Sequence, residues 1–292
     1  MHRTESQLVE RLEAAADHAE TEWRGLRIAW RCFGEGRPVV LLHGDFGSWT
    51  HFVRNIEALA ERYRVLVPDM PGYGHSDTPP EPHLPDRLAA PLAAGLDDLI
   101  GPDAPLDIVG FSYGGIIAGH LAAQLGKRVG RLILSGPGGF GMDSGARSAV
   151  ALKSVRPGMS DAEIDRVHRN NLGQLMIADA ARVDDLAVRI QRGNIDRARV
   201  RCGTIPDTTA LLDVLPRVGA RLSGIWGGAD AFSDPERLAA QEAALRRFEP
   251  EMDFRVLPGA GHWLFYEAPE TANQWLLELL AAPDRRDAAA AS

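Results

Sequence analysis

Six short apolar runs do most to limit what this chain can fold into: PVVLLHG (38–44), RVLVPDM (64–70), LDIVGF (106–111), RLILSG (131–136), RLSGIWG (221–227) and MDFRVLP (252–258). Each has strand length, and each is followed by a segment of helical pattern. The runs are apolar throughout instead of alternating, which suits strands covered on both faces. Strands of that kind separated by helices predict a parallel sheet of the α/β class. An earlier stretch, TEWRGLRIAWRCFGEGRP, alternates more and breaks at Gly25 and Gly34, so it reads as an antiparallel hairpin at the sheet edge.

The helix ends are marked. Ser233 with Glu236, and Pro235 in the first turn, has the spacing of a capping box, and Gly126 closes the helix that follows residue 112. Leu8, Val9 and Leu12 predict a short amphipathic helix before the main domain, and the segment from 283 to 292 reads as a loose tail. Between 141 and 215 the strand rhythm stops and helical patterns replace it. Strands then resume, so 1–140 and 216–282 are expected to form one core interrupted by a helical cap. With 292 residues, 45% of them hydrophobic, one large domain carrying such an insertion is the expected size.

Composition removes several classes of partner. Forty acidic against 32 basic residues give a net charge of -8, which draws the chain to neither nucleic acid nor an anionic membrane. No segment is apolar for long enough to span a bilayer, and the N-terminus lacks a signal-peptide pattern, so a cytoplasmic protein is expected. Cys32 and Cys202, far apart, are expected to be free thiols, and no cluster of residues suggests a metal site. Glycines 136, 138 and 141 match G-x-G-x-x-G, but a dinucleotide fingerprint opens a helix and leads to a second strand, which this stretch does not. No cofactor is expected, and nothing in the sequence sets the oligomeric state.

The sharpest local signal is GFSYGG, residues 110–115, where a serine sits between glycines at the end of an apolar strand and before a helical stretch. Crowding of this kind is needed to lift one hydroxyl out of a tight strand-to-helix turn, so Ser112 is the candidate nucleophile. An alcohol needs a base, and the base needs an orienting acceptor. His262, in a glycine-rich loop after the last strand, is the candidate base. Asp230, in the loop after the preceding strand, is the candidate acceptor, with Asp143 the runner-up. Of the other histidines, His2, His18, His51, His83 and His168 are expected to face solvent, His120 to pack and His43 to hydrogen-bond structurally. The oxyanion formed by attack on a carbonyl would be met by the backbone N–H groups of Tyr113 and of Asp45, with Phe46 the alternative to Asp45.

LLHGDFGSW, VPDMPGYGHSD, GFSYGG, IWGGAD and GAGHW together resemble the successive landmarks of the α/β-hydrolase superfamily over nearly the whole chain. The resemblance implies a mostly parallel sheet with an inserted cap and a serine hydrolase that needs no cofactor. Its expected substrate is a small molecule, either an apolar ester or, as in meta-cleavage-product hydrolases, a carbon–carbon bond beside a ketone. The GHW sequence and a cap arginine are similar to the latter group, which implies a carboxylate-holding role for Arg189, with Arg192 nearby. A ligand-sensing protein that kept the three residues is the third reading. Phe46, Phe111, Phe140 and Trp263, with Met142, Leu172 and Met176 of the cap, are the expected apolar wall. The remaining cap arginines are expected to pair with Asp184, Asp185 and Asp196 on solvated faces.

Overall fold

The computed structural model describes residues 7–142 and 152–283. Helix α1 (Leu8–Ala15) buries Leu8 and Leu12, as their spacing predicts. Strands β1 (Asp17–Trp23) and β2 (Leu26–Phe33) form the antiparallel hairpin. Arg24 and Gly25 make its two-residue turn, both with positive φ, as a right-twisted hairpin requires.

The remaining core elements follow in the expected rhythm. They are β3 (Arg37–Leu42), α2 (Ile56–Ala60), β4 (Tyr63–Pro68), α3 (Pro85–Ile100), β5 (Leu106–Phe111), α4 (Tyr113–Leu125) and β6 (Val129–Ser135). Then come α5 (Asp161–Leu175), α6 (Asp185–Asp196) and α7 (Ala210–Val214), before β7 (Arg221–Gly227), α8 (Pro235–Arg246), β8 (Asp253–Leu257), α9 (Leu264–Glu267) and α10 (Pro269–Ala281). The sheet order is β1-β2-β4-β3-β5-β6-β7-β8. β2 meets β4 antiparallel, and every pair from β4 onward is parallel.

Each apolar run serves two cores. On β3, Val40 and Leu42 face one cluster with Ile116 and Trp226, while Val39 and Leu41 face another with Phe52 and Phe265. That division is why the runs do not alternate. β8 departs from the expectation of burial on both faces. It is the edge strand, half-exposed along its length, with Val256 open to solvent.

The described part of the stretch from 141 to 215 contains helices and turns but no strand, between β6 and β7. It is tied back to the core after α6, where the N–H groups of Arg199 and Val200 both donate to the carbonyl of Gly72. The Arg199 guanidinium adds bonds to the carbonyls of Gly74 and Ser76. Asp184 pairs with Arg54 at 2.7 Å and Asp185 with Arg169, so these acids meet other arginines than the cap set named from sequence. The helix start at 233–236 also differs. Asp234, not Ser233, caps α8 by accepting from the N–H of Arg237, while Ser233 is buried against Gln241. Asp143 and the tail from 284 onward lie outside the described residues. Cys32 and Cys202 are buried, unbridged thiols, and no helix among the described residues is long and apolar enough to cross a membrane.

Candidate active site

Ser112 stands at the carboxyl end of β5 with φ 54° and ψ -124°, a conformation that is strained for any residue with a side chain. Its neighbours explain how that turn closes. A Cβ on Gly110 would lie 2.6 Å from both Ala118 Cβ and Gly115 Cα, and one on Gly114 would run into the carbonyl groups of Leu42 and His43. Glycine at these two positions lets α4 seat against β5 and β3, which turns the Ser112 hydroxyl out of the sheet.

Three loops at the carboxyl ends of the strands converge there. Ser112 Oγ lies 2.9 Å from His262 Nε2, and His262 Nδ1 lies 2.7 Å from Asp230 Oδ2. With the carboxylate on Nδ1, that nitrogen carries the proton and Nε2 is left to accept from the hydroxyl. Asp230 is held in turn, its Oδ1 accepting from the N–H of Phe232 at 2.8 Å. The imidazole lies between Phe111 and Phe232, with ring centroids 5.0 and 4.7 Å away. Both Asp230 and His262 are buried, so their attraction is little screened.

Glu267 is a member of the site that sequence reasoning missed. It is buried and accepts from the N–H groups of Gly261, Ala178 and Asp179, at 2.7, 3.1 and 2.7 Å. One carboxylate thereby fixes the loop before His262 and joins it to the segment after α5. The only sequence signal was an acid five residues past the histidine, which by itself points nowhere.

Tyr113 is the first residue of α4, where a helix has N–H groups without intrahelical partners. The loop after β3 brings Asp45 and Phe46 beside Ser112, and Phe46 has a positive φ of 51°. The Asp45 carboxylate is engaged by two donors, accepting from Tyr73 Oη at 2.7 Å and from the N–H of Cys202 at 3.3 Å.

Two compartments open from Ser112 and His262. The larger, about 330 Å³, is walled by Phe46, Phe111, Leu172, Met176, Ile195 and Phe232. Gln191 and Asn171 supply its polar edges. The smaller, about 60 Å³, is lined by Tyr113, Ser233, Arg237 and Gln241 among others. Phe46, Phe111, Leu172 and Met176, named from the sequence, all line the larger compartment.

Four other predicted wall or binding residues do not. Phe140 is buried in the core, its segment pinned by Gly139 and Gly141 donating to the carbonyls of Pro206 and Thr208. Met142 packs against the same core. Trp263 is fully buried, donates to the carbonyl of His51 at 2.9 Å and stacks on Tyr266. Arg189 pairs with Glu10 of α1 at 2.8 Å and lines a separate cavity of about 600 Å³. It lies on the other face of α6 from Gln191 and Ile195, and Arg192 is paired with Asp161 and Asp165.

Two histidines also differ from expectation. His51 and His168 are buried, and desolvation holds the pKa of His51 well below its ordinary value. His43 is structural as expected, its Nε2 accepting from the N–H of Met70 and its Nδ1–H donating to the carbonyl of Gly44. Among the described residues no group of three or more His, Cys, Asp or Glu is placed to hold a metal ion.

Similarity to known proteins is found in sequence and in fold. The chain is 28% identical over 268 residues to the 2-hydroxy-6-oxononadienedioate/2-hydroxy-6-oxononatrienedioate hydrolase of Comamonas testosteroni, covering 87% of this chain and 91% of that one. A meta-cleavage product hydrolase from Pseudomonas fluorescens IP01 superposes with TM-score 0.68 at 21% identity, covering 91% of this chain and 98% of that one. A thermophilic esterase from Thermogutta terrifontis superposes with TM-score 0.66 at 23% identity, covering 91% and 98%. The family model described as the alpha/beta hydrolase family matches residues 39–275, from β3 to the helix after His262, and the chain belongs to that family.

Proposed function

We propose that the chain hydrolyses a small, largely apolar carboxylic ester through an acyl-enzyme on Ser112. The observation that carries this reading is the hydrogen-bonded line Ser112–His262–Asp230 opening onto the apolar compartment of about 330 Å³. As Oγ attacks the carbonyl carbon, its proton passes to His262 Nε2. The Asp230 carboxylate balances the imidazolium. The negative charge on the former carbonyl oxygen is met by the N–H of Tyr113 and that of Asp45 or Phe46. One such donor contributes about 3 kcal/mol of transition-state stabilisation in related sites. His262 then returns the proton to the leaving alkoxide, and water repeats the sequence to release the acid.

The shape supports an unequal substrate. A group of a few heavy atoms fits the compartment of about 60 Å³, and a longer apolar group fits the other. The test is turnover of p-nitrophenyl esters of increasing chain length, wild type against Ser112→Ala. Loss of at least a thousandfold in kcat is expected, and undiminished hydrolysis by the variant would refute the nucleophile.

A second reading, carbon–carbon bond hydrolysis, is favoured by the relative from Comamonas testosteroni. In that reading Arg237, which lines the small compartment, would meet a substrate carboxylate, because Arg189 is turned to Glu10. Rapid bleaching of a coloured dienoate, weakened by Arg237→Ala and untouched by Arg189→Ala, would decide for it. Tight binding with no turnover across a broad panel would instead favour a ligand-sensing role.

A further inference from the structure

Asp45 poses an electrostatic problem that the structure answers with specific contacts. It sits in the loop to which the proposed mechanism assigns an oxyanion N–H, and it borders both compartments together with Ser112. A carboxylate free to rotate there would oppose the negative charge that develops on the substrate oxygen. Two like charges about 5 Å apart in a partly dry site repel strongly enough to slow a reaction by tenfold or more.

The carboxylate is held by two donors from different parts of the fold. Tyr73, fully buried in the loop after β4, donates its hydroxyl to Oδ1 at 2.7 Å. Cys202, in the strap after α6, donates its N–H to Oδ2 at 3.3 Å. The Tyr73 ring is buried and lies edge-on to His43, with centroids 5.2 Å apart, which restrains where its hydroxyl points. The groups around it are suited to the task. Burial, with the adjoining carboxylate, pushes the Tyr73 phenol well above its ordinary pKa, and burial pushes up that of Tyr113, so both remain neutral. His43 is kept neutral by burial as well. The nearby cation, Arg201, lies over the Phe46 ring at 5.3 Å.

We infer that Tyr73 is a positioning residue whose hydroxyl, together with the Cys202 N–H, keeps the Asp45 carboxylate turned away from the oxyanion site. The inference rests on Ser112 being the nucleophile. Its consequence is specific to charge: removing the hydroxyl slows attack only while residue 45 carries a carboxylate.

The experiment is the rate of Ser112 phosphonylation by a fluorophosphonate probe, with the labelled peptide identified by mass. The reaction uses the same oxyanion contacts and requires no knowledge of the natural substrate. Tyr73→Phe is expected to slow labelling about tenfold or more. In an Asp45→Asn background the same substitution is expected to change the rate by less than about twofold. Should Tyr73→Phe not fold, Tyr73→Leu is compared in the same two backgrounds with the same expectation. Equal effects of the substitution at residue 73 in both backgrounds overturn the inference and leave the nucleophile assignment standing. A wild-type protein that the probe does not label at Ser112 overturns that assignment itself.

Discussion

An imidazole can accept a proton from a serine only if the right nitrogen is free, and Asp230 sets which one that is. Its Oδ2 accepts a hydrogen bond from Nδ1–H at 2.7 Å, and its Oδ1 accepts from the N–H of Phe232. Asp230→Asn keeps the size and loses both the charge and the unambiguous acceptor. We expect kcat to fall by about 10³- to 10⁴-fold with KM changed little, because the loss falls on the imidazolium formed in the transition state. Steady-state kinetics on the best ester substrate checks this, and a matching rise in KM would point to ground-state binding instead. The three residues were legible because each follows an apolar run that ends at the same edge of the sheet. Trp263 and Arg189 were not, because adjacency to His262, or membership of a cap helix, does not say which way a side chain turns. Trp263 faces the carbonyl of His51, and α6 presents Gln191 and Ile195 to the cavity while Arg189 faces α1.

At the scale of elements, the strand-to-helix turn at Ser112 depends on absent side chains. A methyl on Gly114 meets the carbonyl groups of Leu42 and His43, backbone that the sheet holds fixed. Gly114→Ala is therefore expected to destabilise the fold by about 1–3 kcal/mol through overpacking, read as a lower urea midpoint. Gly193 provides the contrast. It lies within α6 and a Cβ there meets nothing within 4 Å, so Gly193→Ala should stabilise by about 0.5–1 kcal/mol. If both variants moved in the same direction, helix propensity and not close approach would govern the turn. The sequence showed the strands and the turn because burial on two faces leaves a continuous apolar run, and an elbow leaves its glycines. It did not show that β8 ends the sheet, since a run of edge residues packed on one side can be equally apolar. Nor did it show which acid caps α8, since Ser233 and Asp234 are both good caps and only the burial of Ser233 against Gln241 separates them.

For the molecule as a whole, the groups that hold the loops beneath the site also set its tolerance of acid. His43 and His51 are completely buried, and burial lowers the pKa of both. The unfolded chain therefore takes up protons on these two imidazoles first, and stability falls as the pH drops below about 6.5. Each histidine held neutral contributes a slope of at most about 1.4 kcal/mol per pH unit, so the two together give at most about 2.8. Asp69 acts at lower pH. Burial tends to raise its pKa, but the His75 side chain, the Arg31 guanidinium and the N–H groups of His75 and Trp49 bring it down to about 2. Its contribution is complete above the ordinary carboxylate pKa of 3.8 and is lost as the pH falls from there through 2. Urea unfolding measured from pH 7.5 to 5 should show the first loss, and His51→Gln should reduce the slope by about 1.4 kcal/mol per pH unit, since an amide does not titrate. A slope unchanged by that substitution would mean that other groups take up the protons. Because His51 Nδ1 accepts from the N–H of Gly44, one residue before Asp45, its protonation would break a bond in the loop after β3, beside Ser112. Activity and stability are therefore expected to decline together on the acid side.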